Sequence, residues 1–141
     1  MMPDTIRVVV AEDHEMVREG LRHLLNAQGD MKVVGEAGNG KTAIEQACSL
    51  KPDVVVIDLS MPEMNGLIAV QHLRKSLPSA ALVALTRHND KTYVQQLTAA
   101  GAAAYVLKQS PSNELLNAIR AAAAGHQNID TALRAALETP P

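Results

Sequence analysis

IRVVVAEDHEMVREGLRHLL, residues 6–25, decides the fold. Its opening, residues 6–10, is a short β-branched apolar run, too brief for a buried helix and closed by two acids. It reads as a strand buried on both faces. From Glu15 onward, Val17, Leu21, Leu24 and Leu25 recur at i, i+4, i+7 and i+8, with Arg18, Glu19 and Arg22 between them. That spacing predicts an amphipathic helix stopped near Gly29. The segment is therefore a β-α unit with Glu12 and Asp13 at its joint.

Working outward, the same alternation returns four times. Residues 31–34 predict a second strand, and residues 41–50 a helix whose Ile44, Ala47 and Cys48 face inward before Pro52. Residues 54–57 form a wholly apolar third strand, followed by a turn-rich stretch at 61–66 and a helix at 67–77. Residues 80–85 and 91–100 repeat the pair, as do 102–107 and 113–124, where Leu115, Ile119 and Ala122 share one side. Five β-α units in series predict an α/β fold: a doubly wound, five-stranded parallel sheet with helices on both faces. This domain takes residues 1–125. After Gly125 the pattern changes, and residues 126–141 read as a linker or an extra C-terminal helix over 131–137, leading to an output domain this chain lacks.

Composition narrows the function. A chain of 141 residues has room for one full core and a short appendage. The single Cys48 cannot pair within the chain, which suits a reducing cytosol rather than a disulfide scaffold. The net charge of −2 is spread along the sequence, unlike the basic stripe of a nucleic-acid contact. Nothing resembles a signal peptide or a membrane span, so a soluble cytoplasmic protein is expected, with no membrane partner.

In open parallel sheets, ligands bind beyond the carboxyl ends of the strands, where strand order reverses. The polar residues directly after each apolar run are therefore the candidate site. Glu12 and Asp13 follow the first run, Asp58 the third, Thr86 the fourth and Lys108 the fifth, while the second offers only Gly35 and Glu36. Three carboxylates in one crevice repel unless a cation intervenes, and Mg²⁺ is a hard ion suited to oxygen ligands. A metal, an ammonium, a hydroxyl and an attacking carboxylate suit an incoming phosphoryl group. The product of such an attack is an aspartyl-phosphate.

These residues resemble the receiver domain of bacterial two-component response regulators. VVVAEDHEMVREGLRHLL matches that family's first strand, acidic pair and first helix. VVVIDLSMPEMNG (residues 54–66) matches its phosphoacceptor segment, and GAAAYVLK (residues 101–108) its last strand. The likeness covers about residues 5 to 125. It implies the strand order 2-1-3-4-5 of a flavodoxin-like fold. It also implies that Asp58 accepts phosphate from a histidine kinase. Asp13, Asp58 and the backbone carbonyl of Ser60 would ligate Mg²⁺, with Glu12 acting through water. Thr86 and Lys108 would bind the phosphoryl group, and Tyr105 would turn inward as Thr86 moves. The first motif is further similar to the subfamily that precedes a LuxR-type helix-turn-helix domain. That likeness implies transcriptional output, homodimerisation on phosphorylation, and DNA contact only through the absent domain.

Arg87 replaces a usually small residue after Thr86, Gln109 a frequent proline and Ala104 a common glycine. Ser60 and His88, two residues beyond Asp58 and Thr86, occupy positions that in the family influence phosphate lifetime; with Arg87 they are candidate tuning residues. Two other readings stand beside this one. GEAGNGKT at residues 35–42 satisfies the P-loop pattern between a strand and a helix, with Asp58 as a companion acid, which would make the chain a small NTPase. A binding module that never takes phosphate is the third. His14, His23, His72, His88 and His126 show no paired metal-ligand spacing and read as surface residues. Cys48 reads as a small core residue.

Overall fold

The apolar runs become strands and the amphipathic stretches become helices. The computed structural model describes residues 5–59, 61, 66–87, 91–125 and 128–129. In chain order the elements are β1 (Ile6–Ala11), α1 (Glu15–Asn26), β2 (Met31–Ala37), α2 (Gly40–Leu50), β3 (Val54–Asp58), α3 (Gly66–Ser76), β4 (Ala81–Thr86), α4 (Lys91–Ala100), β5 (Ala104–Leu107), α5 (Ser112–Ala123) and β6 (Asn128–Ile129). The sheet is parallel throughout, ordered β2-β1-β3-β4-β5-β6. The expected five strands lie in the expected order. A sixth was not foreseen: Asn128 and Ile129 pair with Ala104 and Tyr105. Two residues are too few to show the alternation by which a strand is read. The predicted helix at 131–137 lies outside the described residues, as does most of the turn at 61–66.

Side-chain alternation sorts the core into two layers. Val9, Val55, Ile57, Leu82, Ala84 and Tyr105 face Ala43, Ala47, Val70, Leu73 and Leu97 of α2, α3 and α4. Their neighbours Val8, Val10, Val54, Val56, Val83 and Val106 face Leu25 of α1 and Leu115, Ala118, Ile119 and Ala122 of α5. Each fully buried valine or leucine contributes about 1.5–3 kcal/mol. An acid at Val56, buried in the central strand, would leave a charge without water or partner on that layer.

Three expectations are corrected. β2 runs on to Ala37, so Gly35 and Glu36 lie within the strand; a register shift opposite Val8 and Val9 lets pairing with β1 continue past the apolar stretch. Cys48 is exposed, because α2 turns Ala43 and Ala47 to the sheet, and the inward arc ends before position 48. β5 begins at Ala104 rather than residue 102, since the chain leaves α4 through Gly101 at φ +103 and pairs only afterwards. Among the described residues, no helix is long and apolar enough to cross a membrane.

Candidate functional site

Strand order reverses between β1 and β3: the chain leaves β1 for β2 on one side and returns as β3 on the other. The C-terminal ends of β1 and β3 therefore flank an open crevice. Glu12 and Asp13 leave β1 there, and Asp58 is the last residue of β3. Counting by twos, Asp58 continues the row Val54, Val56, while Lys108 continues Ala104, Val106. Both strands therefore aim these side chains to the same side. Lys108 reaches across the end of β4, placing Nζ 2.9 Å from Asp58 Oδ2 and 3.1 and 3.2 Å from the two Glu12 carboxylate oxygens.

Glu12 and Asp58 are fully buried, and the Lys108 side chain is 14% exposed. Removing charges from water is costly, and the ammonium offsets this only in part. Burial above all, then contact with Asp58, pushes the Glu12 carboxyl up to about 7, against the opposing pull of Lys108. Three carboxylates against one ammonium leave two negative charges when all are ionised. A dication matches that charge.

Asp13 fits the same requirement. Its Oδ1 is buried without a hydrogen-bond partner among the described residues. Glu12, Asp13, His14 and Asp58 each offer a ligand atom within 4.8 Å of the others. The donors are mainly hard carboxylate oxygens, the chemistry Mg²⁺ prefers. His14 belongs to this cluster, with Nδ1 3.3 Å from Asp13 Oδ1 and 3.4 Å from Glu12 Oε1. The sequence reading placed it among surface histidines, and it is indeed exposed. Its position beside the acidic pair was the signal that spacing rules for paired ligands do not capture.

The remaining candidates lie around this centre. Thr86 is buried at the end of β4, one residue past the β-partner of Asp58, and its carbonyl accepts from Lys108 N at 2.8 Å. Arg87 is exposed, and its carbonyl lies 3.5 Å from Gln109 Nε2. Tyr105 lies on the opposite layer and is already buried; its hydroxyl is 2.8 Å from Thr98 Oγ1 and 3.2 Å from the Ala102 carbonyl. Ser60 and His88 lie outside the described residues.

The glycine-rich segment has a structural explanation. Asn39 Oδ1 caps α2 by accepting from Thr42 N at 2.8 Å. Lys41 is exposed. A Cβ on Gly35 would lie 2.5 Å from Leu50 Cδ1 and 2.8 Å from Gln46 Oε1, so these side-chain ends of α2 pack where a larger residue would make them shift.

The sheet order, the switch-point crevice and the buried acid-lysine cluster define an α/β signalling domain of receiver type. A family model, the response regulator receiver domain, matches residues 8–120, and the chain belongs to that family, in the LuxR-type branch. It is 45% identical over 125 residues to the uncharacterized transcriptional regulatory protein YxjL of Bacillus subtilis, covering 89% of this chain and 57% of that protein. The chain thus spans little more than half the length of that relative. A LuxR-family two-component response regulator from Aurantimonas superposes with a TM-score of 0.91 at 32% identity, covering 95% of this chain and 96% of that one. The isolated receiver domain of RcsB from Salmonella enterica, in the presence of phosphomimetic BeF₃⁻, superposes with a TM-score of 0.88 at 26% identity. It is covered completely, by 96% of this chain.

Proposed function

We propose that Asp58 is the phosphoacceptor of a two-component response regulator and takes its phosphoryl group from a histidine kinase. A carboxylate oxygen of Asp58 attacks phosphorus, the P–N bond to the kinase imidazole breaks, and the imidazole leaves and takes up a proton. The reaction is self-catalysed transfer followed by autodephosphorylation, without turnover of a separate substrate. The observation that carries this reading is Lys108 held by both Asp58 and Glu12 beside Asp13, whose buried Oδ1 accepts no hydrogen bond among the described residues.

Asp13 and Asp58, with the backbone carbonyl of Ser60, would hold Mg²⁺, and Glu12 would contact it through water. The ion would neutralise charge developing on the phosphoryl oxygens. Lys108 would exchange its carboxylate partners for a phosphoryl oxygen, and the Thr86 hydroxyl would donate to another. The likeness to the RcsB receiver solved in the presence of a phosphomimetic supports a fold of the phosphate-accepting kind. Phosphorylation adds roughly 1.5 to 2 negative charges and reweights conformations already in exchange. Transcriptional output follows the YxjL relative, and homodimerisation and DNA contact through a further domain follow RcsB, whose dimers are seen on DNA. Ser60, Arg87 and His88 would set the phosphate lifetime.

Incubation with acetyl phosphate and Mg²⁺ should add the mass of one phosphoryl group to the protein. Asp58→Asn should abolish the gain, and Lys41→Ala should leave it intact. Phosphorylation surviving in Asp58→Asn overturns the assignment. Nucleotide hydrolysis lost in Lys41→Ala would establish the P-loop reading instead.

A further inference from the structure

Arg18 lies one turn into α1, on no strand end, and the phosphotransfer scheme gives it no part. Its Nη1 donates to the backbone carbonyl of Glu12 at 2.9 Å. Its Nε is 3.4 Å from Glu36 Oε1, on β2, whose other oxygen is 3.1 Å from Arg22 Nη1. The Glu12 N–H donates to the Ala37 carbonyl at 2.9 Å. Both polar groups of the Glu12 backbone are therefore anchored, one to the sheet edge and one to α1.

We propose that Arg18, oriented by Glu36, is a positioning residue that fixes the peptide between Glu12 and Asp13 and so presets the acidic pair for its cation. This rests on reading the acids as a divalent-cation site. The physical basis is peptide planarity: the Glu12 carbonyl shares a rigid plane with the Asp13 nitrogen and Cα. Holding that plane bears on the exit directions of two side chains that converge on one cluster, Glu12 toward Lys108 and Asp13 with its buried Oδ1 beside the other acids. A guanidinium suits the task because one arm serves the carbonyl while Nε faces the orienting carboxylate, which a point-charge ammonium cannot do. Gly38 completes the device: a Cβ there would stand 3.3 Å from Arg18 Nη1 and crowd it.

The test is calorimetric titration of the whole chain with Mg²⁺, beside unfolding in chelator. Groups that orient metal ligands typically change affinity by about tenfold or more. Arg18→Ala should weaken Mg²⁺ binding about tenfold, Glu36→Gln less, and Arg18→Lys should recover part of the loss. Arg22→Ala breaks a comparable Glu36 pair without touching Glu12 and should bind like wild type. At saturating Mg²⁺ the acetyl-phosphate reaction of Arg18→Ala should return toward the wild-type rate, a recovery that general loss of structure would not give. Wild-type affinity in Arg18→Ala, or an equal loss in Arg22→Ala, overturns the proposal while leaving the cation site standing. Should Arg18→Ala fail to fold, Arg18→Lys and Glu36→Gln carry the comparison with Arg22→Ala. If wild type takes no Mg²⁺ and Asp13→Asn behaves identically, the cation reading falls and this one with it.

Discussion

The Tyr105 hydroxyl donates to Thr98 Oγ1 at 2.8 Å, tying the last long strand to the C-terminal half of α4. The ring is buried, and burial pushes its phenol above the usual tyrosine range.

Thr98→Val tests that link. The variant keeps the shape of the side chain and removes the acceptor, leaving the Ala102 carbonyl at 3.2 Å as the remaining partner. Stability to urea should fall by about 1 kcal/mol, the usual worth of one hydrogen bond. Phosphorylation-dependent association, read by sedimentation, should need more phosphodonor than in wild type. Unchanged association with the expected stability loss would confine the bond to packing.

The Arg120 guanidinium grips Asp30 with Nε and Nη2 at 2.8 and 3.1 Å, clamping α5 to the loop before β2. The hydrogen bonds to Arg120 hold the Asp30 carboxyl below its ordinary value. A depressed carboxyl contributes stability above its unfolded pKa, near 3.8, and loses it as pH falls through the lower folded value. Both side chains are about 40% exposed, so solvent screening limits the pair to no more than about 1 kcal/mol. Arg120→Ala should therefore be slightly less stable than wild type at neutral pH, by denaturant unfolding. The two curves should converge in acid below pH 3.8.

Strand ends were the most legible part of the molecule. Apolar runs of four to six residues locate β1, β3 and β4 to within a residue or so, and the next polar residue is then already at the crevice. Lys108 meeting Asp58 and Glu12 follows from that rule together with alternation along the strands. Contacts made by backbone atoms escape such a reading. No pattern of residue types shows that Arg18 bonds a carbonyl, or that the end of Leu50 packs on Gly35. Helix facing is similarly loose at its margins. A shift of one position sends Cys48 outward, and Val17, read on the apolar face of α1, is 44% exposed. Tyr105 is read from the sequence individually, but that it lies on the opposite layer from the Asp58 and Lys108 rows appears only when the sheet is built.

Glu12 gives the sharpest pH prediction. With its carboxyl pushed up to about 7 from 4.5, chiefly by burial, the folded metal-free protein favours the neutral form. The associated stability is fully present below about pH 4.5 and is lost as pH rises through about 7. A shift of this size corresponds to about 3 kcal/mol. Glu12→Gln imitates the neutral side chain, so in chelator it should match wild type near pH 4.5 and exceed it in urea stability at pH 8. Saturating Mg²⁺ should narrow that gap, because a nearby dication favours the carboxylate and offsets its desolvation. Parallel stability curves for the two proteins across this range would show that Lys108 alone already compensates the buried charge.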